Sequence, residues 1–167
     1  MEMTQWLVTP PTQIRHFHPR DAGALAQLLH ESVRQLGIKG YSQAQVQAWS
    51  PSPVSARQFH ERVSDGRKVL IAVSPDDAPQ GFIELCSNGH IDCFYCHPHS
   101  AGMGVGTALY ATLESIARNE GMPVLTVDAS ETARQFFLNQ GFICIQRQDF
   151  RRNDVLIHNY RMEKKLV

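Results

Sequence analysis

The sequence predicts a single α/β domain in which about seven short strands are interleaved with helices. Three observations carry that expectation: a length of 167 residues, an apolar content of 43% against 19% charged residues, and an apolar period that switches between helical and strand spacing along the chain. Such a length is one ordinary domain, burying roughly 70% of the surface that the unfolded chain exposes. The composition supplies enough apolar surface for a core and too little net charge for a disordered chain.

Residues 1–13, with Thr9-Pro10-Pro11-Thr12 and no clear period, read as an arm preceding a domain that spans 14–167. A strand is expected around Ile14 to Phe17, after which Pro19 opens a helix. In that helix Leu25, Leu28, Leu29, Val33 and Leu36 recur at helical steps, and Gly37 is expected to end it in a left-handed turn. Two shorter helices follow, Ser42 to Trp49, stopped before Pro51, and Ser55 to Val63. The period then changes. Lys68 to Val73, Gly81 to Cys86 and Ile91 to Cys96 form a three-stranded meander, turned by Asp76-Asp77-Ala78-Pro79 and Ser87-Asn88-Gly89. Val105, Ala108, Leu109, Leu113, Ile116 and Ala117 share one face of the strongest helix, with Gly121 and Pro123 just past its end. Val124 to Val127 reads as a strand, and Ser130 as the N-cap of a helix reaching Leu138 and stopped by Gly141. Phe142 to Ile145 and Val155 to Tyr160 make a final hairpin.

Sixteen basic residues balance sixteen acidic ones, so no protein-wide field draws the chain to nucleic acid or anionic lipid, and neither is expected as a partner. The longest apolar run, Val69-Leu70-Ile71-Ala72-Val73, falls far below the roughly 20 residues that span a bilayer. The N-terminus has Glu2, no basic residue before Arg15 and only Trp6-Leu7-Val8 as an apolar stretch. It lacks a secretory pattern, and a cytoplasmic protein is expected. Cys86, Cys93, Cys96 and Cys144 sit in apolar strand-like stretches and read as small hydrophobes rather than a disulfide framework.

The stretch with most chemical content is Ala101-Gly102-Met103-Gly104-Val105-Gly106-Thr107, between a strand and the strongest helix. Glycines there let main chain approach a ligand, and the helix start offers unpaired N–H groups and a positive dipole end, a natural seat for a diphosphate. A dinucleotide fingerprint is disfavoured although Asp128 lies about twenty residues on: its third glycine falls on Thr107 or Leu109. No Gly-Lys-Ser/Thr follows, which removes the P-loop as well. Cys93-Phe94-Tyr95-Cys96-His97 spells a haem-attachment pattern and, with His99, a drawable metal cluster. Residues three apart on a regular strand face opposite sides, so neither haem nor metal is expected.

Tyr95-Cys96-His97-Pro98 followed by the glycine turn resembles the GCN5-related N-acetyltransferase superfamily, whose signature is Gln/Arg-x-x-Gly-x-Gly/Ala. Ala133 to Phe142 is similar to the family's downstream helix and Gly-Phe turn, and Asn159 to Lys164 to its final strand. The resemblance implies one domain with a mixed, mostly antiparallel sheet of six to seven strands and about four flanking helices. It further implies acetyl-CoA as cosubstrate, with the pyrophosphate on main-chain amides at Gly102, Gly104, Val105, Gly106 and Thr107. The strand ending at Cys96 would bulge, splay from its neighbour, and pair with the pantetheine amides through the backbone of Phe94 and Cys96. The implied reaction is direct attack of a primary amine, of a small molecule or peptide not identified by the sequence, on the thioester. One departure is plain: the family's Gln or Arg is Ala101 here.

Amide formation needs a neutral amine beside the carbonyl, a route for its proton and a fate for the thiolate. On regular alternation His90, Asp92 and Phe94 share one strand face, and His90 and Asp92 are the candidate bases, on positions where relatives carry a Glu or His. Glu84 is a third choice, read as the solvated face of its strand. The family's acid tyrosine falls on Phe137, which has no proton to give and is expected to line the thioester tunnel, with Phe136 packing beside it. Tyr160, Ser130 or water would then protonate the thiolate. Tyr41, Trp49 and the His30/Glu31 region are candidate acceptor walls by position. Ala101 and Phe137 also leave open a non-catalytic acyl-CoA sensor. A homodimer is compatible with the exposed edges of a short mixed sheet.

Overall fold

The computed structural model describes residues 12–167; most of the expected N-terminal arm therefore lies outside the described residues. The strands are β1 (Gln13–His16), β2 (Lys68–Val73), β3 (Pro79–Leu85), β4 (His90–Cys96), β5 (Val124–Ala129), β6 (Ile143–Arg152) and β7 (Val155–Lys165). The helices are α1 (Ala22–Leu36), α2 (Gln43–Trp49), α3 (Ala56–Arg62), α4 (Val105–Asn119) and α5 (Arg134–Asn139), five where about four were expected. All strands join one sheet in the order β1-β2-β3-β4-β5-β7-β6, antiparallel throughout except for the β4–β5 pair. Among the described residues no helix is long and apolar enough to cross a membrane.

Both faces of the sheet are covered over β2, which is why β2 reads as an unbroken apolar run. Val69, Ile71 and Val73 pack with Phe82 under α1 and α3, whereas Leu70 and Ala72 pack with Ile83 and Leu85 under α4. Leu109, Leu113 and Ala117 of α4 are fully buried, as the apolar stripe requires. The two shortest N-terminal helices are held by their caps: the hydroxyls of Ser42 and Ser55 accept from the N–H groups of Gln45 and Gln58, whose side chains bond back.

Four expectations are corrected. Gly37 does not turn left-handed; at φ −61° it continues into a 3₁₀ turn, and its carbonyl accepts from Gly40 and Tyr41. A Cβ on Gly37 would lie 3.1 Å from a Val46 methyl, so the glycine admits close approach of α2. Ser130 accepts from the N–H of Ala133 at 3.1 Å but caps a turn, and α5 begins only at Arg134. The final hairpin extends well beyond the expected segments, closed by Asn153 and Asp154 at φ 47° and 63°. Glu84 is not solvated; it is fully buried beneath two arginines, described below.

At the far end of α4, Glu114 accepts from Tyr110 (2.5 Å), Lys164 (2.9 Å) and Arg118 (2.8 Å). Burial pushes its carboxyl up, but these three donors outweigh it and hold the group at about 2, below its ordinary 4.5. A lowered folded value adds stability above pH 4.5 that is lost as pH falls through about 2. Glu114→Gln is expected to cost about 1–2 kcal/mol at pH 7 after allowance for its partial exposure, with the difference from wild type shrinking toward zero by pH 2. Urea titrations across that range check both magnitude and sign.

Candidate active site

The central gap arises where a parallel strand pair stops early. β4 and β5 pair only at His90↔Thr126 and Ile91↔Val127, and beyond Ile91 the β5-facing edge of β4 has no strand partner. A bulge sits at the same place: Ile83 pairs with Phe94 and Leu85 with Ile91, so three steps on β4 match two on β3. The extra residue inverts side-chain parity. Ile91, Phe94 and Cys96 pack on the α4 side, whereas Cys93 and Tyr95 pack under α1 and α3. Asp92 turns to Arg62 and Arg67, so it does not share a face with Phe94 as regular alternation had it. Cys93 and Cys96 face opposite sides, and burial pushes both thiols up, Cys96 to about 11.

A cavity of about 490 Å³ occupies the splay. Phe94, Cys96, Ala101, Ala133, Phe136 and Phe137 line its α4 side. Phe94 lies 5.1 Å from Phe136 and 5.7 Å from Phe137, ring centre to ring centre, so the aromatic pair on α5 closes this end. On the other side of the sheet the cavity reaches Tyr41, Trp49 and Phe150. The expected wall at His30 and Glu31 is not found: His30 bonds Ser50 at 2.7 Å, Glu31 pairs with His97 at 3.2 Å, and neither lines the cavity, whereas Ser32, Val33 and Leu36 do.

The glycine turn opens beside Cys96 and Ala101. Gly102 and Gly104 take φ 76° and 82°, and a Cβ on either would meet nothing within 4 Å, which leaves open space over the start of α4. Gly104 is the N-cap without a side-chain bond, and Ala108 is the first residue to donate back, to the Gly104 carbonyl. The N–H groups of Val105, Gly106 and Thr107 thus have no intrahelical acceptor. A Cβ on Gly106 would lie 3.1 Å from the Phe94 ring, so that glycine lets the helix start sit directly on β4.

Three polar constellations surround the cavity. His90 bonds the Thr126 hydroxyl through Nδ1 at 2.8 Å, while its Nε2 stands 3.8 Å from Asp128. Asp128 in turn accepts from Gln148 at 3.0 Å. Asp92 accepts from Arg67 at 2.5 Å; Arg67 and Arg62 also reach buried Glu84, the latter with two bonds at 2.7 and 2.8 Å. Glu84 is therefore the anchor of an ion-pair cluster bracing β3 and β4. The third constellation was not anticipated. Glu131 accepts from His158 at 2.6 Å and from Tyr160 at 2.8 Å, and those bonds hold its carboxyl below the usual range. Tyr160 does not line the cavity; its hydroxyl is committed to Glu131, which raises its pKa. His158 does line it. The sequence signal was slight, a histidine beside Ile157 on an apolar strand, and Glu131 sits in a turn with no period.

A model for an acetyltransferase (GNAT) domain matches residues 38–164. The uncharacterized N-acetyltransferase YafP of Escherichia coli (strain K12) is 28% identical over 92% of this chain and 95% of its own length. A GCN5-related N-acetyltransferase from Rhodopseudomonas palustris is 36% identical, with a TM-score of 0.87 over 96% of this chain and 99% of that one. At 21% identity, the PaiA N-acetyltransferase of Thermoplasma acidophilum, solved with coenzyme A, superposes with a TM-score of 0.71 over 92% of this chain and 98% of its own. With a family model covering most of its length and the splayed, glycine-capped sheet in place, the chain belongs to the GCN5-related N-acetyltransferase family.

Proposed function

We propose that the protein transfers an acetyl group from acetyl-CoA to a primary amine by direct attack on the thioester. The carrying observation is juxtaposition: Gly106, at the start of α4 with its unpaired N–H groups, sits against Phe94, which with Cys96 and Ala101 lines the cavity at the β4–β5 splay. The residues fit a pyrophosphate. Gly102 and Gly104 leave that space open, and the unpaired N–H groups of Val105, Gly106 and Thr107 supply donors at a positive dipole end. The unpartnered β5-facing edge of β4 near Phe94 and Cys96 suits the pantetheine amides; that PaiA was solved with coenzyme A supports coenzyme A as the ligand class. When bound, the cosubstrate supplies the activated acetyl carbon as a thioester.

The chain's own residues orient the amine and take up its proton. His90, a lining residue of the cavity, is the base, its Nδ1 fixed by Thr126 and its Nε2 3.8 Å from Asp128, which balances an imidazolium. Asp92, already held by Arg67 and Arg62, contributes charge at the splay. Phe136 and Phe137 keep water from the thioester end. Phe137 being no acid, the thiolate takes its proton from water; a thiol of pKa about 8.5 leaves without a strong acid. Tyr160 holds Glu131 and through it His158. Calorimetric titration with acetyl-CoA, followed by thiol-release assays on an amine panel, tests the proposal: micromolar binding with turnover is expected, and binding without turnover on any amine points to a sensor.

A further inference from the structure

We infer that the acceptor is a small primary amine carrying an aromatic body and no carboxylate. The inference rests on the acetyl-transfer reading above and concerns the side of the cavity away from the glycine turn. There the wall is built from Trp49, Tyr95 and Phe150, with Val46 and Ile157 behind them. The Trp49 and Phe150 rings meet edge-on at 5.9 Å, and the Trp49 indole N–H donates to the Tyr95 hydroxyl at 3.3 Å. The indole N–H is thereby spent on the Tyr95 hydroxyl, so the Trp49 and Phe150 rings offer the cavity aromatic carbon.

The charges point the same way. Asp92 and Asp128 line the cavity at the splay, where the amine must arrive; Asp92 is paired with Arg67 and Arg62, whereas Asp128 takes Arg161 on one oxygen only and its other oxygen, beside His90, favours an incoming ammonium before it is deprotonated. Among the described residues the lining has one cation, Lys39, and it is exposed to water at the rim. Arg152, stacked 4.2 Å over Trp49, lines an adjoining open pocket that shares Trp49, Phe150, Asp128 and Asn159 with the cavity, and is not in the cavity lining itself. An acceptor carboxylate set against the Trp49 and Phe150 rings would have Lys39 as the one lysine or arginine of the lining, exposed to water, and its desolvation against aromatic carbon would cost several kcal/mol. A second ammonium would find no carboxylate in the cavity lining beyond Asp92 and Asp128, and one face of Trp49 is already taken by Arg152. The cavity of about 490 Å³ is in the range that encloses a small organic ligand. In the reaction the amine loses its proton to His90, its nitrogen bonds to the acetyl carbon, and the carbon–sulfur bond breaks. The products are an N-acetylated amine and the thiol of coenzyme A.

The test compares 2-phenylethylamine and tryptamine with phenylalanine, tryptophan, putrescine and spermidine, at saturating acetyl-CoA, by thiol release. In parallel, each acceptor is titrated calorimetrically into the protein without cosubstrate. The arylalkylamines are expected to exceed the amino acids and the polyamines in kcat/KM by at least 30-fold and to bind more tightly. Trp49→Ala and Phe150→Ala should each raise KM for 2-phenylethylamine about 10-fold and leave KM for acetyl-CoA within twofold. Equal or better turnover of a carboxylated or polycationic acceptor overturns the inference. So does acetyl-CoA binding with no turnover or binding of either arylalkylamine. A failure to bind acetyl-CoA is a different result, which removes the acetyl-transfer reading itself together with its acceptor.

Discussion

Replacing Gly104 with valine is expected to weaken acetyl-CoA binding by roughly 100-fold, about 2.7 kcal/mol. Gly104 holds φ 82°, a region a β-branched residue enters at a cost of about 1–2 kcal/mol. Nothing lies within 4 Å of the added Cβ, so the substitution does not clash with the fold; the strain is relieved by rotating the turn. Rotation swings the N–H groups ahead of α4 away from their common target, and each charge-assisted bond to phosphate is worth about 1.5–3 kcal/mol. Gly121 supplies the control. It sits past the other end of α4 at φ 72°, also with open space around a built Cβ, so Gly121→Val carries similar strain without touching the turn. Calorimetry should show a large affinity loss in the first variant and none in the second, with comparable drops in thermal midpoint. Equal affinities for the two would remove the diphosphate seat from the account. Gly106→Leu extends the test by a different route, since its Cβ would press on Phe94 at 3.1 Å without backbone strain.

Which parts of this site were legible depended on whether the signal was local. The glycine turn and α4 were readable because a helix stripe and its start are written within a few residues of one another. β2 and β3 were readable because burial on both faces leaves little room for polar residues. The hairpin failed for the opposite reason: as the edge strand, β6 exposes Gln146, Arg147, Asp149 and Arg151, and with nearly every position wet there is no alternation to detect. The β4 bulge is invisible in sequence, since one extra residue is counted only against the strand beside it, yet it decides which side Asp92 and Phe94 face. Glu84 was misread because its neutralising partners, Arg62 and Arg67, come from α3 and the loop after it, 22 and 17 residues away. The Glu131–His158 pair spans 27 residues and a strand crossing, so only the fold brings it to the cavity. The family resemblance pointed to the glycine turn as the proposed coenzyme end; the acceptor end depends on packing between α2 and the β6–β7 hairpin, where the resemblance carried position but not chemistry.

His90→Ala is expected to reduce kcat by about 10²–10³ while leaving KM for acetyl-CoA within twofold, the pattern of a lost proton acceptor. The geometry separates His90 from its rivals. Asp92 has Arg67 at 2.5 Å and Arg62 at 3.4 Å on the same oxygen, so Asp92→Asn mainly perturbs the cluster around Glu84 and should appear as lost stability more than lost turnover. His158 has Nε2 committed to Glu131 at 2.6 Å, and Tyr41 donates to its carbonyl at 2.8 Å, so it is fixed as part of the wall. His90 alone combines a place in the cavity lining, a ring oriented by a neutral hydroxyl, and 3.8 Å from its Nε2 a carboxylate oxygen that Arg161, on the other oxygen, leaves to pair with the imidazole when it takes a proton. Asp128→Asn should therefore cost about 10-fold in kcat, because it removes the stabilisation of the charged ring but not the base. A structural role for His90 would predict something else: Thr126→Val would match His90→Ala, and added imidazole would do nothing. Recovery of a measurable fraction of kcat in His90→Ala on adding imidazole, with none in His158→Ala, assigns the proton to His90; recovery only in the second variant moves the base to the other wall of the cavity.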